Sequence, residues 1–232
     1  PPQLGLPAAH FTIISPFALM CVPSSPAEQL TCARRWADRF STISRLRKKL
    51  GFGFTRTFKP RLRIGYLSAD FHQHATAYLI AELFDLHDRR LFDVYAYSYR
   101  PDDGGEMRKR IACACDQFVD VTSSSFVEAA QRIHADGVDI LVDLKGYTEA
   151  ARTEIVALRP APIQVNYLGY PGTMGAEFMD YIITDRFITP PDYAPFFSEK
   201  LVSLPDCYQV NDRKREIAKQ ALTRAECGLP VK

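Results

Sequence analysis

From Leu62 onward, short apolar runs and longer stretches of helical spacing follow one another along the chain. Leu62–Ser68 (LRIGYLS) reads as a buried strand, and the apolar pattern over Ala75–Leu86 as a helix. Phe92–Ser98 (FDVYAYS) predicts a second strand, Gly105–Cys113 a helix, Phe118–Val121 a short third strand and Ser125–Ala135 another helix. Val138–Leu144 (VDILVDL) carries the strongest strand signal through its Val, Ile and Leu content. Arg152–Leu158 then reads as a helix and Ile163–Tyr167 and Tyr181–Thr184 as strands, with Glu199–Leu204 a candidate for one more. Upstream, Leu30, Ala33, Trp36 and Phe40 recur at helical spacing, with Ser25 as N-cap and Pro26 at the first helical position. Strands alternating with helices predict a parallel sheet covered on both faces, the doubly wound α/β class. Ligands of such sheets sit beyond the carboxyl ends of the strands. The loops after Ser68, Ser98, Leu144 and Tyr167 are therefore where chemistry is expected.

Composition narrows the class without choosing a function. The 232 residues are 47% hydrophobic and 24% charged, with 15 Phe and 11 Tyr, which excludes disorder and suits one large domain. A net charge of +2 demands neither a nucleic acid nor a membrane as partner. The apolar stretch Ala8–Val22 is too short for a bilayer and contains His10 and Pro16. Eight basic residues and no acids fall between Ser41 and Arg63, leaving 21 basic against 27 acidic elsewhere. That run reads as a solvated basic linker or an anion patch. The six cysteines lack paired zinc spacing and are expected as small buried residues in a reducing compartment. The chain opens on Pro1 and stops just past Leu229-Pro230, so it reads as a piece of a longer protein.

Three loops carry candidate chemistry. Ser68-Ala69-Asp70-Phe71-His72-Gln73-His74-Ala75-Thr76 places a carboxylate and two imidazoles between a strand end and a helix start. That arrangement suits acid/base work or anion binding, because helix starts offer free N–H groups and histidine titrates near neutrality. A structural N-cap with solvated histidines explains the same residues. A metal would lack a third nearby donor. In Lys145-Gly146-Tyr147-Thr148-Glu149-Ala150-Ala151-Arg152, Lys145 and Arg152 could meet an anionic ligand or simply flank a turn. Leu168-Gly169-Tyr170-Pro171-Gly172-Thr173-Met174-Gly175 has the glycines that let main-chain amides approach a ligand. No P-loop or GxGxxG fingerprint is present. His134 reads as a residue at a helix C-terminus.

Five segments together resemble one family. LRIGYLSADFHQHAT (62–76), PDDG (101–104), RIHADGVDILVDLKGY (132–147), ALRPAPIQVNYLGYPGTMG (157–175) and FMDYIITD (178–185) are similar to the catalytic region of O-linked N-acetylglucosamine transferases. The SPINDLY-type O-fucosyltransferases belong to the same group, glycosyltransferase family 41, and this chain looks most like bacterial members. The resemblance implies the N-terminal, Rossmann-like lobe of a two-lobed GT-B enzyme, with the active site in the cleft between lobes. It implies an entry helix and basic linker over 1–60, the lobe over 61–205, and a connection over 206–232 to a C-terminal nucleotide-binding lobe. Tetratricopeptide repeats would lie upstream; no helical repeat of about 34 residues occurs in the chain.

The implied reaction is metal-independent transfer of N-acetylglucosamine from UDP-GlcNAc to Ser or Thr hydroxyls of a protein or peptide acceptor, in the cytoplasm. The chain alone is expected to be inactive. GDP-fucose as donor and a non-catalytic flavodoxin-like module are the alternatives. His74 matches the family's active-site histidine, Asp70 its nearby aspartate and Thr76 a sugar contact. Leu168 and Gly169 match backbone positions lining the sugar pocket, and Pro171 and Lys145 join them as substrate-binding candidates. A further histidine of animal members has no counterpart in Pro16-Phe17-Ala18-Leu19-Met20.

Overall fold

The computed structural model describes residues 14–54, 58–217 and 219–230, so His10 and Arg56 lie outside the described residues. Seven strands form one sheet: β1 (Leu62–Ser68), β2 (Phe92–Ser98), β3 (Gln117–Asp120), β4 (Ile140–Asp143), β5 (Ile163–Asn166), β6 (Tyr181–Asp185) and β7 (Lys200–Leu204). Their order is β3-β2-β1-β4-β5-β6-β7, and every pairing is parallel. Register runs from Leu62 against Phe92 to Ser68 against Ser98, and on the other side Val142 lies between Tyr66 and Val165. After β1 the chain builds outward to β3 and then returns to lay β4 on the opposite flank of β1. The crevice where the order reverses lies between the carboxyl ends of β1 and β4, the place where doubly wound sheets bind ligands.

Alternation along the strands supplies two cores. Tyr66, Val94, Ala96 and Val142 face α4 (Ala75–Leu86) and α5 (Glu106–Ala114) through Ile80, Phe84, Met107 and Ile111. Leu67, Tyr97 and Leu141 face α6 (Phe126–Ala135) and α7 (Thr153–Ala157) through Ala130, Ile133, Ile155 and Leu158. Period-two burial on both faces is why these strands read as near-continuous apolar runs.

The crossover from β5 to β6, residues 167–180, contains no helix. Its cover comes from the start of the chain. Behind a short α1 (Pro16–Leu19) come α2 (Pro26–Ala37), a 3₁₀ turn (Asp38–Phe40) and α3 (Ser41–Leu50). Trp36 packs on Tyr147, Phe40 on Tyr147 and Phe178, and Ile43 and Leu46 join the same core where α3 meets α7. The approach is close: a Cβ on Gly175 would lie 2.5 Å from the Arg34 amide nitrogen. Ser25 caps α2 with Pro26 at its first position, as the sequence predicts, and Glu28 completes a capping box beyond that expectation.

The basic run therefore differs from the linker expected of it over its first half. Ser41–Leu50 is a helix because Ile43, Leu46 and Leu50 recur at helical spacing between its basic residues. Farther on, Lys59 pairs with Asp139 at 2.7 Å and Arg61 with Asp93 at 2.8 Å. The cysteine expectation also needs correction: Cys32 is buried, whereas Cys21, Cys113, Cys207 and Cys227 are exposed. Each of those four sits on an exposed face, turn or tail where the thiol meets no core. Beyond β7 the chain turns back along α4 and α5, where Arg110 donates to Asp212 at 3.0 Å and Arg213 donates to Glu82 at 2.8 Å. No helix among the described residues is long and apolar enough to cross a membrane.

Candidate active site

The loop leaving β1 is built on its own backbone. The Ser68 hydroxyl accepts the Asp70 N–H at 2.9 Å, and the Asp70 carbonyl accepts the His72 N–H at 2.8 Å. This turn buries Asp70 to 4% exposure at the crevice between β1 and β4. Across that crevice, Lys145 donates from Nζ to both Asp70 oxygens, at 3.0 and 2.9 Å, and is itself 6% exposed.

Lys145 is held there by the last residue of β4. Asp143, 3% exposed, accepts the Lys145 N–H at 3.0 Å and the Gly146 N–H at 3.1 Å. Burial pushes the Asp143 carboxyl up to about 6, against these two N–H bonds and the Lys145 charge, which favour the anion. Sequence reasoning missed Asp143. An acid closing the most apolar strand in the chain was the available signal.

His74 is the N-cap of α4: its Nδ1 accepts the Thr76 N–H at 3.2 Å, and the same Nδ1 lies 3.5 Å from Asp70 Oδ2. The N-cap reading of this histidine is thus met. Its neighbour His72 lies with its ring 5.5 Å from that of His74, and its Nε2 is buried with no hydrogen-bond partner. Burial, then the positive charge of Arg100, pushes the His72 imidazole below its ordinary value. The loop after β2 joins through Asp103, whose Oδ2 accepts the Gln73 N–H at 3.2 Å.

The loop after β5 completes the group. Leu168 adopts a left-handed φ of 70°, and Gly169 follows so close to the β4 loop that a Cβ there would lie 2.1 Å from the Leu144 carbonyl oxygen. Asn166 donates to the Tyr170 and Gly172 carbonyls at 3.0 and 3.2 Å, which fixes the turn containing Pro171. Lower in the crossover, buried Glu199 accepts from Thr173 Oγ1 at 2.7 Å and the Met174 N–H at 2.6 Å. The α1 segment, which lacks the upstream histidine, lies against this loop, with the Phe17 ring 6.4 Å from that of Tyr170.

Asp70, His74, Thr76, Lys145, Leu168 and Gly169 are thus brought to one strand-end face. Arg152 lies at the same end of the sheet but is engaged apart from them, donating to the Val121 and Ser124 carbonyls after β3 at 3.2 and 2.6 Å. A cleft of about 1430 Å³ opens at the other end of the sheet, beside Pro162, Tyr181 and Arg47, and another of about 350 Å³ lies between Trp36, Phe40 and Tyr147. Neither is lined by Asp70, His74 or Lys145. Among the described residues, no group of three or more His, Cys, Asp or Glu side chains could hold a metal ion.

A seven-stranded parallel sheet with loops converging at its switch point defines a Rossmann-like lobe of the GT-B glycosyltransferase type. The chain belongs to glycosyl transferase family 41, whose model matches residues 6–225. A probable UDP-N-acetylglucosamine–peptide N-acetylglucosaminyltransferase SEC of Arabidopsis thaliana is 41% identical over 215 residues, 88% of this chain and 22% of that protein. The UDP-N-acetylglucosamine–peptide N-acetylglucosaminyltransferase of Caenorhabditis elegans is 45% identical over 153 residues, 66% of this chain and 13% of that protein. In structure, a mutant O-GlcNAc transferase of Thermobaculum terrenum matches with a TM-score of 0.73 at 30% identity, covering 87% of this chain and 38% of that one. The chain thus spans about a fifth or less of these two curated relatives.

Proposed function

We propose that this chain is the N-terminal lobe of a two-lobed enzyme that transfers N-acetylglucosamine from UDP-GlcNAc to serine and threonine hydroxyls of proteins, with inversion at the anomeric carbon. The observation that carries this reading is the convergence of the β1, β4 and β5 loops on one face of a family 41 chain. The names of the relatives support the donor, since they specify N-acetylglucosamine; GDP-fucose draws no such support. The specificity of the family match likewise argues against a non-catalytic flavodoxin-like module.

The reaction has few physical requirements. The acceptor hydroxyl is held in line with the leaving diphosphate, a base takes its proton, and positive charge stabilises the departing nucleotide. In this reading His74, at the open start of α4, orients acceptor or sugar, while Thr76, Leu168, Gly169 and Pro171 contact the sugar. Asp70 is poorly placed as the base, because Lys145 engages both of its oxygens in a buried pair. With Asp70 so engaged, His74 is kept as the orienting group, and proton acceptance falls to the donor's own phosphate. The second lobe supplies most nucleotide contacts, and upstream tetratricopeptide repeats present the protein acceptor, in the cytoplasm.

The test is donor hydrolysis and peptide transfer by the complete protein carrying this lobe, with UDP-GlcNAc and GDP-fucose in parallel. UDP-GlcNAc turnover is expected. His74→Ala should lower turnover by about 100-fold or more, the usual scale for a positioned orienting group, while the chain still folds cooperatively and loses only the α4 cap, about 1 kcal/mol. Turnover with GDP-fucose alone would overturn the donor assignment, and near-normal turnover of the alanine variant would overturn the role of His74.

A further inference from the structure

Three groups compete for few bonds at the β1–β4 crevice. Asp70 is buried, and both its oxygens accept from Lys145 Nζ. The His74 Nδ1 sits 3.5 Å from Asp70 Oδ2, beyond hydrogen-bond reach, and 3.2 Å from the Thr76 N–H that donates to it. An imidazole nitrogen that accepts an N–H bond carries no proton, so the neutral ring must hold its proton on Nε2. The reverse arrangement, with Nδ1–H donating to Asp70, would cost the α4 cap and draw on a carboxylate whose charge the buried Lys145 already balances.

We propose that Lys145 is a positioning residue: by engaging Asp70 it keeps Nδ1 of His74 bare and its proton on Nε2. His74 then presents a hydrogen-bond donor to whatever binds at this face. An Asp–His pair of the kind that makes the outer nitrogen a base is disfavoured here by a lysine brought in from the loop after the neighbouring strand, whose charge balances Asp70. Lys145 acts through Asp70, and its placement depends on Asp143 gripping the Lys145 and Gly146 amides. The catalytic meaning of this tautomer rests on the transferase reading above; the tautomer does not.

The experiment needs no donor, acceptor or second lobe. Long-range ¹H–¹⁵N spectra of this chain, labelled at histidine, are recorded about two pH units above the ordinary histidine value of ~6.5, with His74 assigned by loss of its signals in His74→Gln. The native chain should show His74 protonated at Nε2 and bare at Nδ1. Lys145→Arg, which keeps the ion pair, should match it. Asp70→Asn should also leave the proton on Nε2, because Asp70 does not hold the ring. Lys145→Gln frees Asp70 and should move the proton to Nδ1. A native His74 protonated at Nδ1 overturns the proposal, as does a folded Lys145→Gln chain with an unchanged tautomer. A tautomer switch in Asp70→Asn would equally overturn it. Should Lys145→Gln fail to fold, the native and Asp70→Asn spectra still decide.

Discussion

Asp143 and Gly169 show how single residues hold this face together. Asp143 has a folded-state value of about 6 against an ordinary 3.8, so between those values the folded chain binds the proton that the unfolded chain has released. The contribution of Asp143 to stability should therefore fall as pH rises from about 4 to about 6, its slope being set by proton linkage. Asp143→Asn keeps the shape and one acceptor oxygen, and should flatten this part of the curve; denaturant midpoints measured across the window check it. At Gly169 the constraint is space. With the Leu144 carbonyl oxygen 2.1 Å from the position of an added methyl, neither backbone can yield without breaking the approach of two loops. Gly169→Ala should cost at least about 1–3 kcal/mol in urea unfolding, the scale of overpacking.

At the scale of the element, α6 illustrates what local chemistry contributes. The Ser125 hydroxyl accepts the Glu128 N–H at 3.2 Å while Glu128 accepts the Ser125 N–H at 2.8 Å. Ser125→Ala should destabilise the chain by about 1 kcal/mol, a shift readable in thermal melts. Elements with such signals were legible in the sequence: Leu62–Ser68, Ala75–Leu86 and Phe92–Ser98 fall where the apolar pattern puts them. α3 was hidden because its basic residues outweigh Ile43, Leu46 and Leu50, and the helical face emerges only against the core beside α7. The candidate loops were legible as places, since the strand-end rule locates them. The bonds inside them were not. That Lys145 reaches back 75 positions to Asp70 follows from β1 and β4 being neighbours, a fact of sheet order that no local spacing records.

For the whole molecule, the decisive arrangement is the bare β5–β6 crossover covered by α2 and α3. Removing residues 14–52 should strip that cover, exposing Tyr147, Met174 and Phe178, which are at most 6% exposed in the intact chain. Strong binding of a fluorescent apolar dye and loss of a cooperative melt are the expected outcomes; a sharp native-like transition would show that the lobe stands without its first helices. The arrangement also has a consequence in time. A ribosome releases α2 and α3 first, while the surface they cover, residues 157–180, is made more than a hundred residues later. Throughout that interval Trp36, Phe40 and Ile43 have no native resting place. The opening helices of this chain must be kept from other partners until the far half of the sheet arrives to receive them.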